Sequence, residues 1–230
     1  YHDVTSIPAG STGSVSVTCP AGSVVVSGGF AGSDGVRIYH SKMDGNGWRV
    51  YGYNTSGSSK NMTVQAYCLF NSGGTTQLVF DQEHINANTY TNLSVGCPGG
   101  SIVTGGGWVI GSTDPVEIYN STRSGNGWQI YVNNTGGDTP LTNVYAICLS
   151  SVSGSVSQVN QSGLTVPAGS SAHGEKDCPS GTIATGGGFA VDLGVIIYNT
   201  TMSDNGWQNY ARNTTGSDKL MNTYAICYSP

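Results

Sequence analysis

Polar and apolar residues alternate along short stretches of this chain, and the stretches return in the same order three times. Ser14-Val15-Ser16-Val17-Thr18-Cys19 is the first clear example. A period of two places successive side chains on opposite faces and predicts a half-buried strand. Further stretches follow at Val24–Phe30, Val36–Ser41, Trp48–Asn54 and Met62–Phe70, punctuated by Pro20-Ala21-Gly22, Asp34-Gly35 and Asn46-Gly47. Asn-Gly between two alternating runs predicts a tight hairpin, because both residues tolerate the positive φ of a type I′ turn. The second round has Leu93–Pro98, Ile102–Trp108, Val116–Tyr119, a hairpin at Asn126-Gly127 and Asn143–Cys148. The third has Cys178–Gly181, Gly186–Phe189, Val195–Tyr198, a hairpin at Asn205-Gly206 and Tyr224–Cys227. No stretch predicts a helix longer than a turn.

The repeats are expected at 1–70, 80–149 and 159–230, with linkers 71–79 and 150–158 between them. Each repeat carries an Asn-Gly-Trp, a Tyr three residues after the Trp and a Cys twenty residues after it. Each also carries a double glycine that starts nine residues after its first Cys. Paired glycines inside a strand predict a bulge or a close approach of another backbone. A unit of this size, with about five short strands and few large apolar residues, is marginal alone. The expected fold is therefore all-β, with three repeats fused about a pseudo-threefold axis in a β-prism-like assembly. Three small β-sandwiches in tandem are the alternative.

Six cysteines allow 15 pairings. They fall at Cys19 and Cys68, Cys97 and Cys148, and Cys178 and Cys227, so the repetition favours one bridge per repeat. No Cys-x-x-Cys is present, and His2, His40, His84 and His173 do not recur at equivalent places, which leaves a zinc site unsupported. Paired cysteines without a metal point to an oxidising compartment and so to a secreted protein.

The pattern Cys-Pro-x-Gly, Gly-Gly-Gly, Asn-Gly-Trp, Tyr-Ala-Ile-Cys resembles repeats of secreted bacterial proteins of unassigned function. The turns Cys97-Pro98-Gly99-Gly100 and Cys178-Pro179-Ser180-Gly181 also resemble those of the vitelline membrane outer layer protein I family. That family is a β-prism of three Greek keys, each with a Cys-Pro-x-Gly turn and a closing cysteine. The present repeats are longer and lack the acidic segment before the closing strand. The resemblance implies the fold and no activity.

Composition narrows the function classes. Only 9% of residues are charged and the net charge is −5, with eight basic residues scattered along the chain. Nucleic-acid binding needs a basic footprint that is missing here. No apolar run approaches the ~20 residues of a membrane-spanning helix, so no membrane insertion is expected. Thirteen Tyr and four Trp in a background of Gly, Ser, Thr and Asn point to a folded chain with a neutral surface of hydroxyls and amides.

Three recurring sets are candidate glycan-binding residues. Trp48, Trp128 and Trp207 could offer an apolar ring face to a pyranose, or each could anchor the core of its repeat. Asp34, Asp114 and Asp192 lie five or six residues before Tyr39, Tyr119 and Tyr198. Loop carboxylates there suit sugar hydroxyls or a calcium ion, or they cap turns. Asn54, Asn134 and Asn213, each before a Thr, suit ligand amides or Asx turns. The acids are spread one or two per loop, which gives no paired carboxylates for glycoside hydrolysis, and no Gly-x-Ser-x-Gly elbow is present. The sequence thus favours a non-enzymatic, secreted, lectin-like protein with glycans as partners, up to three related sites and no obligatory cofactor. The alternative is a self-associating structural subunit of an extracellular fibre, coat or surface layer.

Overall fold

The computed structural model describes residues 1–111, 116–137 and 140–230. The first repeat forms β1 (His2–Ile7), β2 (Thr12–Thr18), β3 (Ser23–Gly32), β4 (Val36–Met43), β5 (Gly47–Asn54) and β6 (Lys60–Phe70). The second forms β7 (Thr75–His84), β8 (Thr89–Gly96), β9 (Ser101–Ile110), β10 (Val116–Ser124), β11 (Gly127–Asn134) and β12 (Leu141–Ser150). The third forms β13 (Ser155–Val166), β14 (Ser171–Asp177), β15 (Ile183–Val191), β16 (Val195–Ser203), β17 (Gly206–Asn213) and β18 (Lys219–Ser229). The described residues hold no helix. Each repeat has six strands rather than the expected five. The extra strand, β7 or β13, begins about halfway through what the sequence suggested was linker, because Thr75–His84 and Ser155–Val166 pair along the outer edge of the closing strand.

The eighteen strands form three six-stranded antiparallel sheets, in the orders β1-β6-β3-β16-β17-β14, β13-β18-β15-β10-β11-β8 and β2-β5-β4-β9-β12-β7. Every sheet joins three strands of one repeat to three of another. The first, third and sixth strands of a repeat go to one sheet, and its second, fourth and fifth go to another. The two halves of a repeat face each other, while hydrogen bonds continue across the junctions β3–β16, β15–β10 and β9–β4. The repeats are interlocked around a pseudo-threefold axis.

The double glycine makes that junction possible. A Cβ on Gly28, Gly106 or Gly187 would overlap the ring of Trp48, Trp128 or Trp207. A Cβ on the next glycine, Gly29, Gly107 or Gly188, would overlap the carbonyl oxygen of Thr200, Ser41 or Ser121 on the neighbouring repeat. One glycine therefore seats the tryptophan and the other admits the next repeat's backbone. Each strand carrying the pair has a register shift just before it, between Val25 and Ser27, Val103 and Gly105, and Ala184 and Gly186.

Two further devices tie the two halves of each repeat. The disulfides are Cys19–Cys68, Cys97–Cys148 and Cys178–Cys227, one per repeat, and each joins the residue just after a strand of one sheet to the closing strand of another. Each closes a loop of about fifty residues, worth roughly 4 kcal/mol on a loop-entropy account. They call for an oxidising environment. The turn asparagines act alongside them. The Asn46 side chain donates to Ser23 O at 2.9 Å and accepts from Val25 N at 2.9 Å. Asn126 and Asn205 do the same with Ser101 and Val103, and with Thr182 and Ala184. The hairpin itself differs from the expected type I′ turn. Positive φ falls on Gly45, Gly125 and Asp204, one residue before each Asn, and not on the Asn or the following Gly. A single left-handed first residue is the type II′ arrangement. The glycine after Asn is needed for a different reason: a Cβ on Gly47 or Gly127 would overlap the carbonyl of Val17 or Val95 on the paired strand.

Candidate functional site

The three tryptophans of the Asn-Gly-Trp motif are core residues. Trp48, Trp128 and Trp207 are 0%, 1% and 1% exposed. Their indole Nε1 groups donate to Ser41 Oγ, Ser121 Oγ and Thr200 Oγ1 at 3.0, 3.0 and 2.8 Å. With one ring face on a glycine and the N–H satisfied, they have nothing to offer a sugar. This corrects the binding role the sequence suggested for them.

The asparagine triplet is also internal. Asn54 and Asn213 are fully buried and Asn134 nearly so. Asn54 Nδ2 donates to Ile7 O and Ser58 O, and its Oδ1 accepts from Ser56 N, which is an Asx turn. Asn213 repeats this with Val166, Ser217 and Thr215, and Asn134 bonds Ile85, Asn86 and Gly136. These amides hold the end of the first strand of each repeat to the hairpin and are not free for a ligand.

The aspartates are not equivalent to one another. Asp34 is exposed and faces Arg212 of the third repeat at 3.3 Å. Asp192 is exposed, and its carboxylate accepts from Leu220 N at 2.9 Å while its carbonyl accepts from Val195 N. In the first repeat the matching carbonyl is that of Ser33, not Asp34. Asp192 is therefore a turn residue displaced by one position. Asp114 lies outside the described residues. No cluster of three or more His, Cys, Asp or Glu that could hold a metal ion occurs among the described residues.

The side chains that do recur on the outer surface are tyrosines. In each repeat the fourth strand carries a bulge, and Tyr39, Tyr119 and Tyr198 are the extra residues, between Ile38 and His40, Ile118 and Asn120, and Ile197 and Asn199. The strand loses its alternation there, so the Tyr and its successor lie together on the outer face. Opposite them stand Tyr51, Tyr131 and Tyr210, which follow their buried Trp by three residues and so face the other way. The ring centroids lie 6.0 Å apart for Tyr39–Tyr51, 5.7 Å for Tyr119–Tyr131 and 6.2 Å for Tyr198–Tyr210. All six are half-buried, which leaves part of each side chain to solvent.

Each pair has its own surroundings. Tyr51 is flanked by the His40 ring at 4.8 Å and receives a hydrogen bond from Arg49 at 3.3 Å, and Arg49 pairs with Asp44 at 2.7 Å. Tyr119 has Tyr90, 62% exposed, at 6.4 Å. Tyr210 stacks on His173 at 4.3 Å, and His173 lies 3.8 Å from Glu175. Burial first, then the neighbouring phenols, holds Tyr39 and Tyr119 above the usual tyrosine range. Those hydroxyls stay protonated and can both donate and accept. An aromatic face beside hydroxyls, amides and single charges is chemically suited to the C–H face and rim of a sugar ring.

The signal for these faces was in the sequence, since both tyrosines recur at fixed spacing in all three repeats. The bulge that turns Tyr39 outward was not. No protein-family model matches the chain, and no curated protein matches it.

Proposed function

We propose that the protein is a secreted, lectin-like glycan-binding protein that presents three related aromatic faces and carries out no catalysis. The observation that carries this reading is the outward tyrosine pair, built three times by the same bulge and kept while the surrounding side chains vary. A feature needed only for folding would be expected in the interior, where the tryptophans and asparagines already serve that purpose. The differing neighbours, Arg49 and His40, Tyr90, then His173 and Glu175, make the three faces related rather than identical. Weak single sites gain avidity when several are carried on one rigid body. The three disulfides support secretion, since they need an oxidising compartment.

The test is the oxidised protein on a broad glycan array, with and without calcium, followed by competition with the free monosaccharide. Binding to a defined sugar that is lost in a Tyr51→Ala/Tyr131→Ala/Tyr210→Ala variant with unchanged melting supports the reading. A blank array on folded protein overturns it. The second reading, a subunit of an extracellular assembly, draws on Phe80, which is 56% exposed on the edge strand β7. Exposed edges of this kind can pair between copies. Filaments or sheets in electron micrographs, alongside a blank array, would favour it.

A further inference from the structure

Beside each outward tyrosine pair the register sets one residue of the fourth strand opposite one of the fifth, and this pair changes character between repeats. In the first repeat it is Lys42 opposite Arg49. In the second it is Thr122 opposite Gln129, and in the third Thr201 opposite Gln208. The uncharged version suits the sheet, since Gln208 Nε2 donates to Thr201 Oγ1 at 3.2 Å. Like charges directly opposite each other in an antiparallel pair are destabilising. The first repeat therefore carries the less stable choice at a position where the fold twice holds a neutral one.

The surroundings leave this pair positive. Lys42 Nζ lies over the ring of Tyr145 on β12, 5.5 Å from its centroid. Arg49 donates to the Tyr51 hydroxyl at 3.3 Å. Asp44 is the one acid among the described residues that pairs with either cation, at 2.7 Å from Arg49. Both members of that ion pair are 39% exposed, so it is weak, and a guanidinium has five donors to share. The next strand extends the contrast: Ser16 stands opposite Arg49, Ser94 opposite Gln129 and Glu175 opposite Gln208. The three faces run from cationic through neutral to acidic. Arg49 and Tyr51 are alternate residues of β5, so they project from one face about 7 Å apart, a span that one sugar ring and its substituent cover.

We propose that the first face prefers an acidic sugar, one bearing a carboxylate or a sulfate, with Lys42 and Arg49 on the anionic group and Tyr39 and Tyr51 against the ring. This rests on the glycan reading of the tyrosine faces and adds the charge class of the ligand to one of them. The second face offers no cation in this place, and Glu175 repels an anion from the third.

The test uses the intact oxidised protein in titration calorimetry. One arm compares tetragalacturonate with its methyl ester, and the other compares a sulfated galactose oligosaccharide with the unsulfated one. At least one charged probe is expected to find a single site about tenfold tighter than its uncharged form finds, with the advantage shrinking as salt is added. Lys42→Thr/Arg49→Gln gives the first repeat the pair of the second and third, and is expected to melt like wild type and to bind charged and uncharged forms alike. Lys42→Thr alone is expected to lose part of the advantage. Equal affinity for charged and uncharged forms in both arms on wild type overturns the proposal and leaves the glycan reading standing. An advantage that survives in the double variant also overturns it, because the charge is then read elsewhere. Binding of no sugar at all, on the array or in either arm, overturns both.

Discussion

The interior of the third repeat differs from that of the other two. In the first repeat the layer between the half-sheets is Val15, Val50 and Val64, and in the second it is Leu93, Ile130 and Val144, all buried. In the third the same positions hold Gly174, Asn209 and Thr223. Asn209 is fully buried and donates to Gly188 O at 2.9 Å and Thr223 Oγ1 at 3.1 Å, while its Oδ1 has no partner. The space beside Gly174 is reached by Gln161, whose Oε1 accepts from Glu175 N at 2.8 Å. Gln161 sits at a register shift in β13, next to left-handed Gly163. One fold thus accepts a dry layer twice and a hydrogen-bonded layer once. What stays constant is the frame: the Trp bonded to a hydroxyl, the Asn across the turn, the double glycine and the disulfide. The frame, and not the apolar layer, specifies the repeat.

The largest test of that claim is Trp128→Ala, which removes a fully buried ring and should cost about 3–5 kcal/mol in chemical denaturation. Trp48→Ala and Trp207→Ala should cost similar amounts despite their different surroundings. A much smaller loss in the third repeat would mean its frame is not equivalent. Next comes a reciprocal exchange. Ile130→Asn puts an unmatched amide into a dry layer and should cost about 2–4 kcal/mol. Asn209→Ile with Thr223→Val removes both partners of one buried hydrogen bond and an orphan oxygen but also the donor to Gly188 O, and should cost no more than about 1–3 kcal/mol. A large loss there would show that the polar layer is required.

Ser121→Ala leaves the Trp128 N–H without an acceptor and should cost about 1–3 kcal/mol. The smallest effect concerns His40, where the other repeats have Asn120 and Asn199. Burial, ahead of the opposing hydrogen bond at Ile110 O (3.2 Å) and of Lys42, holds its pKa below the ordinary value of 6.5. The folded state therefore favours the neutral ring. Its contribution is complete above pH 6.5 and declines as pH falls through that value toward the folded pKa. Denaturation midpoints should fall over that interval in wild type and fall less in His40→Asn.

Much of this frame was legible in the sequence because it rests on local chemistry. Alternation gave the strands, and the recurrence of Cys gave the pairing. The Asx turns at Asn54, Asn134 and Asn213 followed from Asn-Thr spacing. The features that escaped are those set by other repeats. Nothing near Gly29 reveals that its partner is Thr200 of another repeat, which is why the shared sheets were not evident. Asn46 looked like a turn former because Asn-Gly so often is one, whereas its side chain works across the sheets and Gly45 makes the turn. Trp48 was open to a core or a surface reading, with the core favoured, and Gly28 beneath it decides for the core. Asp192 looked equivalent to Asp34 although it lies six residues before its Tyr and Asp34 lies five, so the spacing already carried the offset that the turn hydrogen bonds display. The tyrosine faces depended on a bulge, and a bulge moves a side chain from one face to the other without changing the sequence pattern around it.

The central functional claim is that ligand binds on the outer tyrosine faces and not at the tryptophans. Calorimetric stoichiometry with a glycan identified on the array tests it most directly, with wild type compared with Tyr131→Ala and with Tyr119→Ala/Tyr131→Ala. The account predicts about three sites in wild type and one fewer in each variant, with melting temperatures unchanged. Undiminished stoichiometry in both variants would contradict it.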